Sequence, residues 1–124
     1  NAATLGLTGV RCLQADWLAP FGAATLDLVL ANPPYIGTDE AATLPRELAH
    51  EPPAALFAGR DGLAALRSIV RAVPRVLRPG GAVVLEHGAT QGAAVRALLR
   101  AAGLAAVTTR RDLAGHERVT FARR

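Results

Sequence analysis

Two consecutive prolines, Pro33 and Pro34, follow directly on the apolar run Leu26-Asp27-Leu28-Val29-Leu30-Ala31. Proline has no N–H and holds φ at about −65°, so the pair can neither extend a sheet ladder nor sit in a helix interior. The run before them reads as a buried strand, nearly continuous in apolar residues, as a strand covered on both faces requires. Asn32-Pro33-Pro34-Tyr35 is therefore a stiff, extended loop at the carboxyl end of a strand. Open α/β sheets bind ligands at that end. An amide, two rigid imide carbonyls and a phenol are gathered there in one small region.

The rest of the chain reads as an α/β layer architecture with helices over a mostly parallel sheet. Asn1 to Leu7 reads as the end of a helix capped by Gly6. Val10 to Gln14 reads as a short strand ending at Ala15-Asp16-Trp17, and Leu18 to Thr25 as a turn region. Asp61 to Leu77 is helical: Leu63, Leu66, Val70, Val73 and Leu77 fall on one face and Arg67, Arg71 and Arg75 on another. Asp61 suits its N-terminus, and Pro74 predicts a kink or a loosened last turn. Pro79-Gly80-Gly81 reads as a turn, Ala82 to Glu86 as a buried strand, and Gln91 to Ala102 as a helix. In that helix Val95, Leu98, Leu99 and Ala102 point inward, Arg96 and Arg100 outward, and Gly103 ends it. Leu104 to Arg111 and Arg118 to Arg123 form two closing strands. The six residues between them, Asp112 to Glu117, allow an antiparallel hairpin and exclude a helical crossover.

At 124 residues the chain has room for one domain with a modest core, and its 51% hydrophobic content excludes a disordered composition. All fourteen basic residues are Arg, with a net charge of +4. Together with the Ala and Gly excess this reads as a GC-rich genome more than as a nucleic-acid patch, although a basic surface that attracts RNA or acidic partners stays open. Cys12, the only cysteine, sits in an apolar stretch and reads as a small core residue. Without a second cysteine there is no internal disulfide, which fits a reducing, cytoplasmic setting. No apolar run approaches the roughly 18 residues of a membrane span.

Ile36 to Arg60 carries no clean period, apart from a possible short helix near Ala41 to His50. A long irregular segment beside a suspected site reads either as a lid or as a plain surface excursion. Glu86 either faces the site or caps the next helix. His87 reads as a packing or turn residue, Glu51 as a residue ordering the lid, and Arg118 as the partner of an acid inside the fold. His50, His87 and His116 show no metal-ligand spacing, and no metal is expected.

The order Ala15-Asp16-Trp17, Asn32-Pro33-Pro34-Tyr35-Ile36, His50-Glu51-Pro52, Asp61-Gly62-Leu63, Arg78-Pro79-Gly80-Gly81, Leu85-Glu86-His87-Gly88 and Glu117-Arg118-Val119 resembles the protein-(glutamine-N5) methyltransferases of peptide chain release factors. The resemblance runs from Asn1 to Arg124. It implies a doubly wound class I methyltransferase sheet, closed by an antiparallel C-terminal hairpin, with S-adenosylmethionine (SAM) as cofactor. The implied acceptor is the glutamine side-chain amide of the release factor Gly-Gly-Gln loop. Carried over by position, Trp17 contacts the cofactor adenine with Asp16 beside it, and Asn32 touches cofactor and acceptor. Asn32, Pro33, Pro34 and Tyr35 together hold the glutamine amide; Asn32, Pro33 and Tyr35 carry the catalytic roles.

The family's glycine-rich SAM loop, the acidic residue that holds the ribose and the N-terminal helical domain have no counterpart in these residues. Residues 1–124 are thus expected to be the C-terminal part of one catalytic domain, with the N-terminal strands missing and little or no SAM binding or activity alone. The family's Arg before the Glu-Pro pair is also absent: Leu48 and Ala49 stand nearby, so Arg46 or Arg60 would have to substitute. Two rivals remain. One is an amino-methyltransferase acting on adenine or guanine in RNA or DNA, which shares Asn-Pro-Pro-Tyr. The other is a truncated, inactive module.

Overall fold

The computed structural model describes residues 1–43 and 50–124. Its elements are strand β1 (Leu26–Ala31), a 3-10 turn (Thr38–Thr43), helices α1 (Pro53–Leu56) and α2 (Ala64–Val76), strand β2 (Leu77–Glu86), helix α3 (Gly92–Ala101) and strands β3 (Ala105–Arg111) and β4 (Glu117–Arg123). They form a mixed α/β layer around an open four-stranded sheet in the order β1-β2-β4-β3. β1 runs parallel to β2, with Val29 opposite Val83 and Ala31 opposite Leu85. β2 and β4 are antiparallel, as are β3 and β4. The sheet of the described residues is therefore mixed rather than mostly parallel, because the closing hairpin enters beside β2 and sets both of its pairings.

Apolar spacing builds the core. α2 buries Leu66, Ile69, Val70 and Val73 while Arg67, Arg71 and Arg75 stay exposed, as a stripe of period 3.6 requires. These side chains meet Val29, Val83, Leu85 and Ala122 of the sheet and Val95 and Leu99 of α3 in one cluster. α2 and α3 touch each other as well as the sheet, so both lie on the same face. Burying a Leu or Val side chain there contributes about 1.5–3 kcal/mol. On the opposite face Leu28 is 54% and Leu30 74% exposed, so β1 is covered on one face only among the described residues.

Local expectations at the helix ends hold in part. The Gly6 cap keeps its form, with Leu7 N–H on the Ala2 carbonyl at 2.9 Å, Gly6 N–H on the Ala3 carbonyl at 3.1 Å and Gly6 at φ +66°, but it closes a turn over residues 2–6 and not a helix. Gly103, at φ +79°, follows α3. The last turn of α2, expected to loosen at Pro74, is closed instead: the helix runs past Pro74 to Val76, and Leu77 N–H donates to the Val73 carbonyl.

Others are corrected. Residues 10–14 form no strand; Val10 and Leu13 are exposed and no described strand lies beside them to complete a ladder. Cys12 is exposed with them rather than packed in the core. Asp61 is not the cap of α2, a position taken by Leu63; its carboxylate instead accepts Leu63 N–H at 3.1 Å and binds Arg67 at 2.6 Å. Pro79-Gly80-Gly81 is a bulge inside β2, not a turn between elements: β1 advances from Leu26 to Leu28 while β2 advances from Leu77 to Ala82. Arg96 is half-buried rather than outward, because it bridges Thr109 and Glu117. α1 lies inside the stretch that reads as irregular, with Pro53 at its first helical position, where proline is tolerated. A helix over residues 41–50 is replaced up to Thr43 by the 3-10 turn; residues 44–49, and with them Arg46, lie outside the described residues.

Candidate functional site

The proline pair leaves β1 at its carboxyl end, as its rigidity requires. Asn32 is exposed, Pro33 is buried, and Pro34 and Tyr35 are half-buried. The loop is then held from the far side. Ile36 N–H donates to the Leu56 carbonyl at 3.0 Å, Ala58 N–H to the Ile36 carbonyl at 3.0 Å and Thr38 N–H to the Gly59 carbonyl at 2.9 Å. Residues 56–59 thus run alongside residues 36–38 in a short parallel bridge, and the segment after the proline loop returns to brace it.

Among the described residues, three hollows border this loop and one more lies beside them along β1. One of about 220 Å3 is walled by Asn32, Pro33, Pro34, Tyr35, Ile36, Ala55 and Leu56. A second, about 210 Å3, shares Asn32 and is completed by Leu30, Ala31, Val84, Glu86 and Val119. The third, about 190 Å3, lies between Trp17, Leu18, Val29, Leu30, Ala31 and Ile69. The fourth, about 270 Å3, is lined by Tyr35, Ile36, Glu40, Arg118 and the run from Gly88 to Gln91. Asn32, Pro33, Pro34 and Tyr35 therefore stand together on one wall. Trp17 stands one hollow away, joined to them through Leu30 and Ala31. Asp16 is exposed in the turn before Trp17 and lines none of the four.

Trp17 takes φ +46°, a left-handed conformation that costs a large side chain about 1–2 kcal/mol. The turn that carries it is anchored from α2: Arg75 donates to the Phe21 carbonyl at 2.5 Å and to the Leu18 carbonyl at 3.2 Å. The ring stays 41% exposed, open to the hollow.

Glu86 faces the site: its Oε1 accepts from the Tyr35 hydroxyl at 3.4 Å, and it shares a hollow with Asn32. His87 is fully buried and serves packing. Its Nδ1 lies 2.9 Å from the Gly88 carbonyl, which can only accept, so Nδ1 carries the proton and Nε2 accepts from Thr120 Oγ1 at 2.9 Å. Arg118 pairs with Asp112 at 3.3 Å inside the hairpin. The hydrogen bond from His116 N–H, followed by the Arg118 and Ala114 contacts, holds the Asp112 carboxyl below the usual carboxylate range. Arg67, then the Leu63 N–H, does the same for Asp61. Glu51 is exposed, and Arg60 meets Asp39 at 3.6 Å on the surface. Among the described residues no three His, Cys, Asp or Glu side chains gather as metal ligands, and no described helix is long and apolar enough to cross a membrane.

One residue at the site escaped the sequence reading. The Gln91 side chain donates from Nε2 to the Tyr35 carbonyl at 2.9 Å and to the Asp61 carbonyl at 3.2 Å, while its Oε1 accepts Gly88 N–H at 2.9 Å. Only the Gly88-to-Gln91 spacing hinted at it, as a turn ahead of a helix.

No protein-family model matches the chain. Several solved structures share the fold. A proposed DNA modification methylase from Thermus thermophilus has TM-score 0.56 at 21% identity, covering 86% of this chain and 49% of that one. A possible exported protein from Bordetella parapertussis has TM-score 0.60 at 19% identity, covering 99% and 47%. Among curated proteins, the release factor glutamine methyltransferase of Xylella fastidiosa is 46% identical over 123 residues, 99% of this chain and 45% of that protein. Its namesake from Bordetella pertussis is 49% identical over 121 residues, 97% and 44%. A 4-amino-L-phenylalanine/4-methylamino-L-phenylalanine methyltransferase from Streptomyces pristinaespiralis is 46% identical over 98 residues, 77% and 34%. The chain, which spans less than half the length of these curated relatives, belongs by its sequence to the release factor glutamine methyltransferase family.

Proposed function

We propose that residues 1–124 are the C-terminal part of a single SAM-dependent catalytic domain, a doubly wound class I methyltransferase sheet closed by the β3–β4 hairpin. The whole protein would transfer a methyl group from SAM to the side-chain amide nitrogen of the Gly-Gly-Gln glutamine in a peptide chain release factor. One observation carries the reading: Asn32 stands at the carboxyl end of β1 on the rim of two hollows, one walled by Pro33, Pro34 and Tyr35 and the other by Glu86.

The residues present fit the cofactor. The slot between Trp17, Leu18, Leu30 and Ile69 is apolar and aromatic, as a flat purine ring requires. Trp17 and Asn32 would hold the cofactor, with Asp16 at the rim. When bound, SAM supplies a methyl group on a sulfonium as electrophile.

The acceptor nitrogen is a poor nucleophile because its lone pair is delocalised into the carbonyl. The Asn32 side-chain oxygen and the Pro33 carbonyl accept its two N–H groups, aim it, and favour the positive charge that develops there. The fixed φ of Pro33 and Pro34 keeps those acceptors in place without reorganisation. The Tyr35 ring covers the planar amide and excludes water. Positioning of this kind contributes several kcal/mol, up to about 7–11 in the best cases.

The likeness to a 4-amino-L-phenylalanine methyltransferase favours a second reading, an amine on a small aromatic substrate. The deciding experiment incubates the whole protein with labelled SAM and, in parallel, a release factor, rRNA, DNA and 4-amino-L-phenylalanine. A methyl on the release factor glutamine, lost about a hundredfold or more in Asn32→Ala, is expected. Label entering any other acceptor instead overturns the release factor reading.

A further inference from the structure

Three separate stretches of chain meet at the carboxamide of Gln91: the end of the proline loop, the Asp61-Gly62 turn and the entry to α3. A primary amide has two N–H hydrogens, and here each points at a carbonyl oxygen, Tyr35 at 2.9 Å and Asp61 at 3.2 Å. The oxygen is engaged as well, by Gly88 N–H at 2.9 Å. Turning the amide over would set its oxygen against two carbonyls and its NH2 against an N–H, so the orientation is fixed. The approach is close because Gly62 has no side chain; a Cβ there would stand 2.7 Å from Gln91 Nε2 and would overlap the Tyr35 carbonyl.

We infer that Gln91 is a positioning residue for the Asn32–Tyr35 loop. This rests on the reading that the loop holds the acceptor amide. With φ of Pro33 and Pro34 already locked, the loop's remaining freedom lies in few dihedrals, those of Tyr35 foremost. A hydrogen bond to the Tyr35 carbonyl fixes them, and with them the direction of the Tyr35 ring. Gln91 acts through Tyr35 and need not touch the acceptor. Misplacement of reacting groups by about 1 Å costs about a hundredfold in rate, so the bond acts on turnover more than on binding.

The test uses the whole protein and two variants, Gln91→Ala and Gln91→Glu. It measures kcat and KM for methyl transfer to a release factor across pH, and hydrogen exchange over residues 32–38. Gln91→Ala is expected to lower kcat about tenfold or more while KM changes less than about threefold. It should also speed exchange over residues 32–38 and leave the β3–β4 hairpin as it was. In Gln91→Glu an ionised carboxylate faces the Tyr35 carbonyl and repels it. Once protonated, the acid has one O–H to donate there while its other oxygen still accepts Gly88 N–H. Its activity relative to the unaltered protein should therefore rise as pH falls from about 8 to about 5.5. Unchanged kcat in Gln91→Ala, or a pH-independent ratio in Gln91→Glu, overturns the inference. If Gln91→Ala does not fold, the near-isosteric Gln91→Glu decides alone. If the unaltered protein leaves release factors unmethylated, the functional reading fails on its own control. Exchange over residues 32–38 then still decides the clamp, and an unchanged rate in the variants overturns it.

Discussion

The Tyr35 hydroxyl lies 3.4 Å from Oε1 of Glu86, which ties the last residue of the proline loop to the last residue of β2. A bond that long and only half-buried contributes no more than about 1 kcal/mol. Tyr35→Phe keeps the ring and should lower the methyl-transfer rate by about fivefold at most. Tyr35→Ala removes the surface proposed to cover the acceptor and should lower it about a hundredfold. Steady-state kinetics on both variants checks this; a Phe variant as slow as the Ala variant would assign the role to the hydroxyl instead.

Gly62 is required for two separable reasons. Its φ of +69° disfavours any side chain, and a Cβ would run into the Tyr35 carbonyl, which is backbone and cannot swing away. Gly62→Ala should destabilise the protein by more than about 2 kcal/mol, read as a lower urea midpoint with an unchanged slope. Gly80, at φ +79°, has nothing within 4 Å of the position a Cβ would take. Gly80→Ala should therefore cost only the conformational part, about 1 kcal/mol. Equal losses would mean that the close approach at Gly62 carries no weight.

What the chain discloses before folding follows the reach of each interaction. α2 and α3 were legible because their apolar period is written in neighbouring residues, β1 because of its apolar run, although only one of its faces is covered among the described residues, and the hairpin because a six-residue connection admits little else. Residues 10–14 misled, and took Cys12 with them, because a strand is a property of a pair and the pairing partner is not written in the run itself. Arg78-Pro79-Gly80-Gly81 carries turn chemistry in both outcomes; only the register against β1 makes it a bulge. The Asn-Pro-Pro-Tyr loop was legible because proline fixes its own backbone. The Gln91 clamp was not, since its two acceptors lie 56 and 30 positions away. Likewise, whether Glu86 faced the site or capped a helix depended on where Tyr35 came to rest.

A one-way chain of donors crosses the sheet behind the site. Arg96 donates to Thr109 Oγ1 at 2.8 Å, and Thr109 and Thr120 share a bond of 2.9 Å. Thr120 donates to His87 Nε2, because His87 Nδ1 already carries the proton. Thr120 and His87 are fully buried. Thr120→Val keeps the shape and strips the hydroxyl, leaving His87 Nε2 without its donor. The expected loss is about 1–3 kcal/mol in chemical denaturation. Thr108→Val, exposed on β3, should stay within about 0.5 kcal/mol. A neutral Thr120→Val would show that the chain contributes nothing to stability.

The turn between β3 and β4 should make stability sensitive to acid. Asp112 Oδ1 accepts His116 N–H at 2.9 Å and Ala114 N–H at 3.0 Å, and its Oδ2 meets Arg118 Nε at 3.3 Å. These bonds hold its folded pKa below the ordinary 3.8, with the His116 bond the largest cause. The folded state therefore binds this proton more weakly than the unfolded chain does. The stabilisation is fully present above pH 3.8 and is lost as pH falls below that value through the folded pKa. Asp61, lowered chiefly by Arg67, shares the same acid limb. Asp112→Asn keeps an oxygen for the two N–H groups but has no proton to take up. Melting curves at about pH 7 and about pH 3 should therefore show a smaller acid loss in Asp112→Asn than in the unaltered protein, and a smaller one still when Asp61→Asn is added. Equal losses in all three would place the acid sensitivity elsewhere, because removing the titrating groups must otherwise flatten the slope.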